Sequence, residues 1–67
     1  MRKSTKAIPK LLPLLSSPAV YVRITAVQAL SSIGDSSVRV PLERAAEREK
    51  DNAVLPYLEA AFEELPK

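Results

Sequence analysis

The stretch Ser17-Pro18-Ala19-Val20-Tyr21-Val22-Arg23-Ile24-Thr25-Ala26-Val27-Gln28-Ala29-Leu30-Ser31-Ser32-Ile33-Gly34-Asp35 decides the fold. Ser17 is a helix cap, and Pro18 suits the first helical position, where its missing N–H is no loss. Val22, Ala26, Ala29, Leu30 and Ile33 then recur at helical spacing and share one face. Gly34 supplies the left-handed residue that closes a helix. The pattern predicts a helix from Pro18 to Ile33.

Similar patterns lie on either side. Upstream, Ser4 is a cap for a helix over Thr5 to Leu15, with Ile8, Leu11, Leu12 and Leu15 in line. Pro9 falls near its first turn. Pro13 lies deeper and cannot donate to the carbonyl of Pro9, so a kink is expected there. Downstream, Asp35, Ser36 and Ser37 can cap a third helix from Val38 to Lys50, with Val38, Leu42, Ala45 and Ala46 as its apolar stripe. Asp51 or Asn52 caps a fourth from Ala53 to Leu65. Its stripe is Val54, Leu58, Ala61, Phe62 and Leu65, and Pro66 stops it.

The fourth helix overlays the second at an offset of 32: Val22 meets Val54, Ala26 meets Leu58, Ala29 meets Ala61, Leu30 meets Phe62 and Ile33 meets Leu65. A helical hairpin repeating at this period is the mark of an α-solenoid. The expected fold is all-α: an α-solenoid fragment of two helical hairpins, four helices in all. It forms a single domain over 1–67, with repeat one at about 4–34 and repeat two at about 35–66.

The residues Ser17-Pro18, Val22-Arg23, Ala26, Ala29-Leu30 and Ile33-Gly34-Asp35 resemble the HEAT-like repeats of the phycobilin-lyase type. That pattern is roughly D-P-x-x-V-R-x-x-A-x-x-A-L-x-x-I-G-D. Ser17 stands for the usual Asp, and one extra residue precedes Val22. The second copy departs further, with Leu55 where Arg is expected, Leu58 where Ala is expected and Pro66 where Gly is expected. The resemblance spans essentially the whole chain. It implies polar links between neighbouring repeats through Arg23 and Asp35, an option that Leu55 lacks. It also implies scaffolds, regulators or lyase subunits as functional company.

The second helix is apolar on two sides, because Val20, Ile24 and Val27 lie roughly opposite the main face. The equivalent side of the fourth helix carries Asn52, Pro56 and Glu59 and reads as a solvent-facing cap. On the first helix, Ala7, Leu11 and Leu14 widen the apolar surface. Ala7, Leu11, Leu14, Val20 and Ile24 therefore form an expected association edge for self-association, a preceding repeat or a partner. The alternative is that the third and fourth helices cover this side within one compact unit.

Composition narrows the chemistry. The chain has 67 residues, no cysteine, no histidine and one glycine. That removes the usual general base, thiolate ligands and any glycine-rich phosphate loop. The seven serines sit mostly at caps and loops, and only lysine could activate one. Glu43/Glu47 and Glu59/Glu63 are i, i+4 pairs on polar faces, read as solvated. No catalytic residue, metal site or cofactor is expected. The net charge is +2, but residues 1–34 hold five basic side chains and no acid, while residues 35–67 hold five basic and eight acidic ones.

Arg2, Lys3, Lys6 and Lys10 lend some support to nucleic-acid binding. The aromatics are not interleaved with them, so nucleic acid is disfavoured. No apolar run is long enough to span a membrane, and a cytoplasmic location is expected. Protein recognition is the preferred reading, with Tyr21, Thr25, Gln28 and Ser32 on one ridge of the second helix and Ala53, Tyr57, Ala60 and Glu64 on the matching ridge of the fourth. Tyr21 and Tyr57 are read as equivalent positions, and Tyr21, Thr25, Gln28 and Tyr57 are the expected partner-binding set. The expected function is a non-catalytic protein–protein interaction or scaffold module. The alternatives are an accessory subunit of a phycobilin-lyase-like enzyme and a small nucleic-acid-binding protein using the basic N-terminal half.

Overall fold

A computed structural model describes residues 5–65. The Ser4 cap, Arg2, Lys3 and the Pro66 stop lie outside the described residues. The chain runs through α1 (Ile8–Leu11), α2 (Val20–Ile33), α3 (Arg39–Arg48) and α4 (Leu55–Glu64). Tight 3-10 segments over Thr5–Ala7 and Leu12–Ser16 flank α1, and another over Ser36–Val38 leads into α3. Among the described residues there is no strand. The fold is all-α, as the periodicity predicts.

Each boundary has a local cause. The expected first helix is broken, not merely kinked: α1 ends at Leu11, and Pro13 sits in the 3-10 segment that follows. Proline removes the donor and crowds the preceding turn, so the chain takes up the tighter winding instead. The second helix starts two residues later than expected, at Val20, because Ala19 is extended at φ −83°, ψ 120°. The Ser17 hydroxyl still caps the entry, accepting from the Ala19 N–H at 3.2 Å. Gly34 ends α2 at φ 71°, donating its N–H to the Leu30 carbonyl at 3.2 Å. Asp35 accepts from the Ser37 N–H at 3.0 Å and opens the next turn. Asp51 accepts from the Ala53 N–H at 2.8 Å, so Asp51 and not Asn52 caps the approach to α4.

The helices form two layers. The Leu12–Ser16 segment that follows α1 packs beside α3 in the outer layer, and α2 packs beside α4 in the inner one. Between them lies the core, with Ala26, Val27 and Leu30 of α2, Val38, Leu42 and Ala45 of the third-helix region, and Val54, Leu58, Ala61 and Leu65 of the fourth. Leu15 closes it from the first hairpin.

One expected face is corrected. On α2 the residues sealed in the core are Ala26, Val27 and Leu30, while Val22, Ala29 and Ile33 stay half-buried outside it. At about 100° per residue the buried face is therefore centred roughly a quarter turn from the expected stripe. Val20 and Ile24, taken as the free side, pack against the core, and Val27 beside them is 1% exposed. The reason is the neighbour: α4 packs along that side of α2, and the Ser31 hydroxyl donates to Glu64 Oε1 at 3.1 Å. A position about 180° around the helix from Ser31, such as Val22, then faces away from α4.

Candidate interaction surface

A second polar link, beside the Ser31–Glu64 hydrogen bond, joins the two hairpins. The Arg23 Nε donates to Glu49 Oε1 at 2.9 Å and its terminal nitrogen to Glu49 Oε2 at 3.1 Å, while the other nitrogen reaches the Ser17 carbonyl at 2.7 Å. Glu49 Oε2 also accepts from the Asp51 N–H at 3.0 Å. The pair is largely buried, at 18% and 6% side-chain exposure, and bidentate, which makes it directional as well as attractive. It ties the start of α2 to the loop between α3 and α4, so Arg23 links the two hairpins as the resemblance implies. Asp35 acts as a turn cap. Sequence reasoning did not name Glu49. Its signal was its place seven residues after Leu42, in line with the apolar stripe of the expected third helix, where a carboxylate needs a partner.

With the layer fixed, the ridge side chains point outward. Tyr21 is 80% exposed and Tyr57 40%. Thr25, Gln28 and Ser32 on α2 are exposed, as are Ala53, Ala60 and Glu64 along the matching ridge. Gln28 and Tyr57 come together across a shallow groove of about 240 Å³, whose walls are completed by Ser31, Ser32, Ala60 and Glu64. Tyr21 and Thr25 are not brought into that groove; they continue the same face of α2 towards its N-terminus. The Thr25 hydroxyl donates to the Tyr21 carbonyl at 3.0 Å. The two tyrosines are not in register. At the repeat offset of 32, Tyr57 matches Thr25 and Ala53 matches Tyr21. The rings are staggered by one helical turn.

The expected association edge is mostly used internally. Leu11, Val20 and Ile24 pack against the core, and Ala7 is half-buried. Leu14 remains 39% exposed. The glutamates Glu43, Glu47, Glu59 and Glu63 are all exposed, as are Lys6 and Lys10 on the first hairpin. Among the described residues no helix is long and apolar enough to cross a membrane. Glu64 is the charged side chain lining the groove, and the exposed rings of Tyr57 and Tyr21 lie in it and beyond it on the same face.

A family model described as HEAT repeats matches residues 1–63. Nothing matches among curated proteins or among solved structures.

Proposed function

The chain belongs to the HEAT-repeat family, whose repeats are typically non-catalytic and generally mediate protein–protein interaction or scaffolding, and from that premise we propose that it is an interaction module that takes a protein partner on the α2–α4 ridge. The observation that carries this reading is the exposed ring of Tyr21, at 80%, on the same helix face as the Gln28–Tyr57 groove. A tyrosine held on a rigid helix loses little entropy on contact and offers both apolar area and a hydroxyl. Thr25 extends that face between Tyr21 and Gln28.

The test is a native pull-down with mass spectrometry, followed by affinity measurement against the protein recovered. Changing Tyr21 and Tyr57 together to Ala is expected to weaken binding by more than about 1–2 kcal/mol. Unchanged affinity with helical circular dichroism preserved would remove the ridge from the account. An accessory role beside a chromophore lyase is a special case of this reading, and co-purification of a pigment protein would support it. The nucleic-acid alternative is weakened by placement, since Lys6 lies in the Thr5–Ala7 segment and Lys10 on α1, while the tyrosines lie on α2 and α4. Self-association is a further part of the proposal. It would use Leu14 and the half-buried Val22, Ala29 and Ile33, because the side bearing Val20 and Ile24 is already packed against the core.

A further inference from the structure

The outer layer has a trough of its own. Between the turn after α1 and helix α3 lies a groove of about 210 Å³ with Leu12, Leu15, Val40 and Pro41 as its apolar surface. Val40 is 54% exposed and lies in this groove beside Leu12 and Pro41, so the apolar surface there is contiguous. Arg44 and Arg48 stand on the wall of the same groove, one helical turn apart. Leu15, Ser16 and Arg48 also line a wider, open cleft of about 800 Å³ that continues past Lys50. The two depressions therefore form one trough along the outer layer.

The charges in and around that trough are unequally spent. Arg23 is consumed by Glu49, and Arg39 donates to the Phe62 carbonyl at 3.3 Å and lies 5.9 Å from the Phe62 ring centre. Arg44 and Arg48 are exposed and make no hydrogen bond or ion pair with another described residue. Of the trough's carboxylates, Glu49 is paired with Arg23, and Asp51 accepts the Ala53 N–H but keeps its charge; the lining stays net positive through Arg44, Arg48 and Lys50. What faces outward is Arg44, Arg48 and Lys50 beside an aliphatic strip. Glu43 and Glu47 share α3 with the arginines but are not among the residues lining either depression.

From this arrangement we propose that the outer trough is a second docking site, distinct from the α2–α4 ridge, for an extended acidic segment of a partner protein that also carries an aliphatic side chain. Its carboxylates pair with Arg44, Arg48 and Lys50, and its aliphatic group covers Val40 and Leu12. Guanidinium groups recognise carboxylates in a fixed fork geometry, and the apolar strip selects against a purely charged ligand. With both sites filled the module bridges two partners, one on each layer.

The test uses the full chain and a fluorescein-labelled synthetic peptide of alternating glutamate and leucine, about eight residues long and roughly 27 Å when extended. Anisotropy is expected to show saturable binding that weakens at least about tenfold in R44Q/R48Q. It is expected to fall several-fold for V40S or for a peptide with serine in place of leucine, and to be lost with glutamine in place of glutamate. The Tyr21→Ala, Tyr57→Ala double variant is expected to bind this peptide normally, which separates failure of this site from failure of the ridge. Equal binding of the glutamine peptide, or unchanged binding by R44Q/R48Q with helicity preserved, would overturn the proposal. So would equal affinity for a thymidine oligonucleotide, because the trough would then read charge alone.

Discussion

The same apolar stripe occurs on α2 and on α4, and the two copies meet different fates. Along α4 and its two capping residues, Val54, Leu58, Ala61 and Leu65 are 1%, 1%, 1% and 3% exposed. At the matching positions of α2, only Ala26 is sealed, while Val22, Ala29 and Ile33 stay half-buried. The stripe on α4 is shielded because α2 and the core stand before it. On α2 the corresponding side faces away from α4 and, among the described residues, no packed hairpin covers it. On the fourth helix this stripe is the surface turned towards the preceding hairpin. Its burial is set by the neighbour and not by its own residues.

The largest effect should come from cutting the buried copy. Leu58→Ala removes a side chain sealed at 1% exposure and is expected to cost about 2–5 kcal/mol, enough to unfold much of a domain this small. Thermal or urea unfolding reads it. The sharper comparison uses Leu65→Ala and Ile33→Ala, at matched positions. The first should cost clearly more than the second, since Leu65 is 3% exposed and Ile33 is half-buried. Equal costs would show that the α2 stripe is as well packed as the α4 one.

Next in size is the clasp between the hairpins. Glu49→Ala leaves the Arg23 guanidinium part-buried without its carboxylate, and a loss of about 2–3 kcal/mol is expected. A double-mutant cycle with Arg23→Leu should return a large coupling energy, since the two groups contact directly. Additive costs would mean that this ion pair contributes nothing to the joint between the hairpins. Smallest is Gly34→Ala. A methyl group there meets only the Ser31 and Ser32 carbonyls, at 3.8 and 4.0 Å, so space is adequate and the cost is in the left-handed backbone. About 1–2 kcal/mol is expected from chemical denaturation.

Much of this molecule is legible before any coordinates. Helical spacing of Leu, Val, Ala and Ile gives the four helical regions, because amphipathic periodicity is a local property. Gly34, Asp35 and Asp51 mark boundaries that the structure uses, because caps act within a few residues. The break after Leu11 is harder to read, since a proline can kink a helix or convert it to 3-10 winding, and the outcome depends on what the following turn packs against.

Other features depend on contacts between residues far apart in the chain. Which side of α2 enters the core was not readable, because Val20, Ile24 and Val27 are as apolar as Val22, Ala29 and Ile33. Periodicity says that two sides are apolar and is silent on which one meets α4. The Glu49 partnership spans 26 residues and needed the loop after α3 to bring the carboxylate to Arg23. The groove between Gln28 and Tyr57 and the trough beside Arg44 and Arg48 are likewise products of packing. Local sequence sets which faces are apolar, through side-chain chemistry repeated at the helical period. Tertiary structure decides which of those faces is covered, because burial is a property of two surfaces and each residue supplies only one.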